Sequence, residues 1–146
     1  MRFPLLAPAL LLLALSAQAQ AQSDAAAAAA KQPGAVVKPS GLVYLSLRDG
    51  TGVSPGPNDT VKVNYRGTFP DGKEFDSSYK RGEPIEFPLS GVIKCWTEGV
   101  QLMKVGGKAK LTCPPGLAYG ERGAGSAVPP NATLHFEVEL LGIKGK

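Results

Sequence analysis

The stretch Thr60-Val61-Lys62-Val63-Asn64-Tyr65-Arg66-Gly67-Thr68-Phe69, closed by Pro70-Asp71-Gly72, decides the fold class. Val61, Val63 and Tyr65 share one face, and Lys62, Asn64 and Arg66 share the other. A period of two argues a half-buried strand. Pro70-Asp71-Gly72 is a tight turn, so the chain is expected to return as a hairpin through Glu74 to Ser77. The same alternation recurs downstream. Ala109, Leu111 and Cys113 alternate with Lys108, Lys110 and Thr112, and Leu134, Phe136, Val138 and Leu140 with His135, Glu137 and Glu139. Leu42 to Leu47 is rich in strand formers, and Ile85 to Leu89 reads as a short strand between Pro84 and Ser90-Gly91.

Trp96 to Met103 is the only helix candidate. Trp96, Val100 and Met103 fall at i, i+4 and i+7, one helical face. Gly99 weakens the segment by roughly 1 kcal/mol against Ala, so tertiary packing must hold it. Pro114 to Ala132 reads as a long loop. The 18 Gly and 13 Pro suit a strand protein with many turns. Strand, strand, short returns, one helix, strand, loop and strand imply an α+β architecture, a curved antiparallel sheet wrapped around one short helix. The groove between helix and sheet is the expected pocket.

The N-terminus reads as an address. Arg2, the apolar run Leu5 to Leu15, and the small-x-small sites Ala17-Gln18-Ala19 and Ala19-Gln20-Ala21 form a secretory signal peptide over 1–21, cut after Ala19 or Ala21. The run is too short to cross ~30 Å of hydrocarbon, so no stable membrane anchor is expected. The expected destination is the periplasm. Residues 22–41, with six consecutive alanines from Ala25 to Ala30, read as a flexible linker: alanine favours helix, but there is no apolar stripe to bury. Residues 42–146 form the expected folded domain.

Several chemistries are excluded. The net charge of +4 is interspersed rather than clustered, which gives no case for nucleic acid. The lone histidine, His135, sits on the polar face of a strand and reads as a solvated residue. The two cysteines have no histidine near them, so no zinc site follows. Gly120-x-x-Gly123-x-Gly125 has the wrong order and no βαβ unit around it for a dinucleotide. No cofactor or metal is expected. In an oxidising compartment Cys95 and Cys113 would form a disulfide stapling helix to sheet; the other reading is two buried free thiols.

From Leu42 to Ile143 the chain resembles the FKBP domain, a peptidyl-prolyl cis-trans isomerase. The matching pieces are Val63-x-Tyr65-x-Gly67, Asp71-Gly72-Lys73-x-Phe75-Asp76-Ser77-Ser78, Val92-Ile93-x-x-Trp96-x-Glu98-Gly99, Ala118-Tyr119-Gly120, Pro129-Pro130-x-Ala132-Thr133-Leu134 and Phe136-x-Val138-Glu139-Leu140-Leu141. Ser40-Gly41-Leu42-x-Tyr44 is similar to the secreted bacterial branch. The resemblance implies an FKBP-like fold and rotation of X-Pro bonds in newly exported, unfolded chains. It makes Trp96 a pocket floor, and Tyr65, Phe75, Phe87, Val92, Ile93 and Phe136 its apolar walls. Asp76 stands at the rim, Arg81 pairs near it, and Tyr119 points its hydroxyl inward. It also has Asp76 position Tyr119 or face the twisted carbonyl, and has the Ile93 amide bind a ligand carbonyl. Ile85 replaces a family phenylalanine in the substrate-binding wall, and the small loop-tip residues Ala127 and Val128 are expected to contact substrate as well. Rapamycin and tacrolimus are the implied macrolide ligands, and a monomer is expected. The competing readings are a non-catalytic module for Pro-containing segments and a chaperone.

Overall fold

The computed structural model describes residues 24–146; the expected signal peptide, 1–21, lies outside the described residues. The strands are β1 (Val36–Val37), β2 (Val43–Arg48), β3 (Thr60–Thr68), β4 (Glu74–Ser77), β5 (Ile85–Pro88), β6 (Lys108–Cys113) and β7 (Leu134–Ile143). They form one antiparallel sheet in the order β1-β2-β6-β7-β3-β4. β5 joins the β4 side of β3 at the opposite end, pairing Val61 with Phe87 and Val63 with Ile85. β3 is therefore the strand from which the site is hung. Its alternation is realised: Val61, Val63 and Tyr65 are buried, while Lys62 and Arg66 are exposed.

Two short helices frame the pocket, α1 (Ser78–Arg81) and α2 (Lys94–Val100). α2 begins two residues before the expected start, because Ile93, in extended backbone, serves as its N-cap. It ends at Val100, and two i→i+3 bonds, Leu102 N–H to Gly99 and Met103 N–H to Val100, carry the chain onward. Met103 thus stays buried beside Trp96 and Val100. Gly99 has a packing reason. A Cβ there would come within 2.8 Å of Leu111 Cδ2 on β6, so only glycine lets the helix lie this close to the sheet. Trp96, Val100 and Met103 join Val61, Val63, Leu111, Phe136, Val138 and Leu140 in one core.

Cys95 and Cys113 are joined as a disulfide with their Cα atoms 5.7 Å apart, stapling the start of α2 to the end of β6. Closing that loop contributes about 3 kcal/mol on the chain-entropy account.

Three features differ from the sequence expectation. The four-residue α1 stands where none was expected. Ser77 caps it, accepting the Tyr79 N–H, and Gly82 ends it at φ 74°. Residues 24–30 are helical and Val36–Val37 pair with Tyr44 and Val43, so the described part of 22–41 is not a featureless tether. Alanine propensity accounts for the first and an open sheet edge beside two valines for the second. His135 is half-buried with Nδ1 2.9 Å from Thr112 Oγ1, and burial, then Lys110, holds its pKa below the ordinary histidine value. Among the described residues no helix is long and apolar enough to cross a membrane.

Candidate active site

Trp96 lies in the first turn of α2, and only 4% of it is exposed. Three rings meet it edge-on, Tyr65 at 5.1 Å, Phe87 at 5.4 Å and Phe136 at 5.4 Å. They come from β3, β5 and β7, so a box with the indole as its base requires all three strands in register. Phe75 of β4 adds a further wall, its ring 5.6 Å from Phe136. Such T-shaped pairs add about 0.5–1.5 kcal/mol each beyond area burial. The position of Phe75 depends on Gly67: a Cβ there would lie 2.6 Å from Phe75 Cζ.

The box opens into a cavity of about 630 Å³. Tyr65, Phe75, Asp76, Arg81, Ile85, Phe87, Val92, Ile93, Trp96, Tyr119 and Phe136 all line it, and Gly91 joins them. Ala127 and Val128 do not. Val128 is buried in the core, tied to Ala124 by reciprocal backbone bonds of 2.8 and 3.2 Å. Ala127 faces a different depression, beside Phe69 and Phe75.

The polar groups sit at the rim as a bonded set. Tyr65 Oη donates to Asp76 Oδ2 at 2.5 Å, Arg81 Nη1 to Asp76 Oδ1 at 3.0 Å, and Arg81 Nη2 to Tyr65 Oη at 3.0 Å. The Ser77 N–H donates to Asp76 Oδ1 at 2.8 Å. The phenol that Asp76 holds is therefore Tyr65; the resemblance had left open whether Asp76 positions Tyr119 or faces the twisted carbonyl. Hairpin geometry explains this, because Gly67 pairs with Asp76 and leaves Tyr65 one pleat away on the same face. Burial works to raise the Asp76 pKa, but the bonds from Tyr65 and Arg81 outweigh it, and the carboxyl is held below the usual range. Burial, then Asp76, pushes the Tyr65 phenol up, and the bonds to Tyr65 and Asp76 raise Arg81.

Ser78 is a residue that sequence reasoning missed. Fully buried, its Oγ accepts the Tyr65 N–H at 2.8 Å and donates to Asn64 Oδ1 at 3.0 Å. It takes the place of a strand partner where β4 turns into α1, and so fixes the height of Tyr65 over the pocket. Serine immediately after a capping serine was the available signal.

Donors remain for a ligand, the hydroxyl of Tyr119 in the cavity lining among them. The Trp96 indole N–H is buried and bonded to nothing among the described residues. The Ile93 carbonyl accepts from Trp96 and Thr97, but its own N–H, at the open end of α2, is bonded to none of the described residues. Among the described residues no cluster of His, Cys, Asp or Glu could hold a metal.

A curved sheet and a short helix thus frame an aromatic box whose ionisable groups stand only at its rim. Residues 52–141 match the family described as FKBP-type peptidyl-prolyl cis-trans isomerase, and the chain belongs to that family. It is 55% identical over 115 residues to the FKBP-type peptidyl-prolyl cis-trans isomerase FkpA of Escherichia coli K12, covering 79% of this chain and 42% of that one. It is 48% identical over 113 residues to the Outer membrane protein MIP of Legionella longbeachae, covering 77% and 48%. The crystal structure of a peptidyl-prolyl cis-trans isomerase from Pseudomonas syringae superposes with a TM-score of 0.79 at 38% identity, covering 85% of this chain and 91% of that one. The chain thus spans about half the length of the curated relatives it matches.

Proposed function

We propose that this chain catalyses cis–trans rotation of X-Pro bonds in unfolded or newly exported polypeptides, acting as a monomer in the periplasm. The observation that carries the reading is the cavity floored by Trp96, whose ionisable groups are all at the rim. Rotation of an X-Pro bond must cross ~18–20 kcal/mol of amide resonance. The planar amide is polar and zwitterion-like, and the twisted one less so. An apolar box binds the twisted state better than the planar one, which is catalysis by differential binding without a covalent step.

The residues divide the work. Trp96, Phe136, Phe87 and Tyr65 hold the pyrrolidine ring. The Ile93 N–H and the Tyr119 hydroxyl hold carbonyls on either side of the rotating bond. Asp76 anchors Tyr65 and keeps a negative carboxylate at the rim, where the twisting carbonyl carbon faces it. Rapamycin and tacrolimus are the macrolides such a pocket would take. Ile85, smaller than a phenylalanine, leaves one wall thinner for them. The periplasmic assignment is supported by the signal-like 1–21 and by a relative named an outer membrane protein.

The test compares the wild type with Asp76→Ala and Tyr119→Phe in a peptide isomerisation assay. Both variants are expected to lower kcat/KM by roughly tenfold or more, the usual scale of one lost hydrogen bond to a charged or reacting group. Rates equal to wild type in both would remove these residues from the site.

A further inference from the structure

Beside the aromatic box lies a second depression of about 1030 Å³. One bank is the β3–β4 turn with Phe69, Pro70 and Phe75, and the other is the loop tip with Ala127, Pro129 and Pro130. Phe75 is a wall of both cavities. A ladder of rings joins them, with Phe69 4.8 Å from Phe75, Phe75 5.6 Å from Phe136, and Phe136 5.4 Å from Trp96.

We infer that this groove holds the substrate chain beyond the proline's immediate neighbours and selects polypeptides with an apolar side chain there. The inference rests on the isomerase reading above and names a substrate class for it. Continuity through Phe75 favours the substrate itself as occupant: a chain with its proline on Trp96 passes into the groove within two ring steps. At ~3.3 Å per residue, that is about three residues of extended chain. The lining chemistry sets the preference. Two phenylalanine rings and three prolines give it apolar faces, Lys73 supplies its cation, and the acids at its edge are engaged, Asp71 by the Lys73 N–H at 2.8 Å and Glu74 by Arg66 at 3.5 Å. The small tip residues Gly125, Ser126 and Ala127 keep the groove open, where larger side chains would fill it.

The test uses the full chain and two peptides in exchange NMR, one short with a single Ala-Pro bond, the other extended by four residues on each side with leucine at the third. The extended peptide is expected to show about tenfold higher kcat/KM, the scale of one apolar contact. Ser126→Glu, at an exposed loop position, should abolish that advantage and leave the short peptide's rate unchanged. Amide shifts at Ser126 and Lys73 should move with the extended peptide only. Equal rates for the two peptides, or an advantage that survives Ser126→Glu, would overturn the groove. If neither peptide were accelerated, the isomerase reading would fall, and the shift titration would still decide the groove: movement at Ser126 and Lys73 supports it, and none overturns it.

Discussion

Gly67→Ala places the account under quantitative strain. The added Cβ would sit 2.6 Å from Phe75 Cζ and 3.0 Å from Phe136 Cε1. Carbon atoms in ordinary contact stay ~3.5–4.0 Å apart, so the Phe75 ring must retreat by about 1 Å. Overpacking of this kind costs about 1–3 kcal/mol. Loss of glycine's freedom in the unfolded chain returns about 0.4–1 kcal/mol. The net is a destabilisation of about 1–2 kcal/mol, read in urea as a midpoint lower by ~0.5–1 M at the usual slopes. Activity should fall further than stability. Phe75 is a wall of the pocket, and a displacement of ~1 Å in a positioning group can cost 10²-fold. The assay pairs urea unfolding with peptide isomerisation on the same preparation, under conditions where the variant is fully folded. An unchanged midpoint together with an unchanged kcat/KM would refute the claim that Gly67 seats Phe75 against the box.

Three further outcomes follow from the same geometry. Reducing the Cys95–Cys113 bond should destabilise the domain by about 3 kcal/mol, seen as a lower urea midpoint with reductant and absent in Cys95→Ser, Cys113→Ser. The rate profile should be flat from about pH 5 to 9, because Asp76 is held below, and Tyr65 and Arg81 above, their ordinary values; a bell-shaped kcat/KM near neutrality would demand a proton-transfer step. His135 is held below its unfolded value, so the unfolded chain takes up the proton first. The stability present above about pH 6.5 should then decline as the pH falls through the lower folded value, and His135→Gln should flatten that decline in urea midpoints.

How much was legible in the sequence depends on the range of the forces involved. Strand alternation is local, and Val61, Val63, Tyr65 and the run Leu134 to Leu140 are buried as their spacing implies. Trp96, Val100 and Met103 are buried together because the i→i+3 turn after Val100 keeps Met103 on the apolar side of the helix. The partner of Asp76 was not legible. Which phenol it meets is set by hairpin register, and Tyr65 lies eleven residues away in sequence but across one pair of strands. Val128 misled for a related reason. In an aperiodic loop nothing in the sequence says which side chain turns inward, and here a backbone bridge to Ala124 sends it to the core. The α1 turn left a faint signal in Ser77 and Gly82, which cap a helix too short to show any period.

The central claim, that the box floored by Trp96 speeds rotation about an X-Pro bond, is tested most directly by exchange NMR on an Ala-Pro peptide while the Trp96 indole N–H is observed. Faster cis–trans exchange, concurrent with a shift of that buried N–H, which no described residue bonds, is the predicted result. A shifted indole with exchange left at its uncatalysed rate would contradict it, leaving a module that binds proline without turning it.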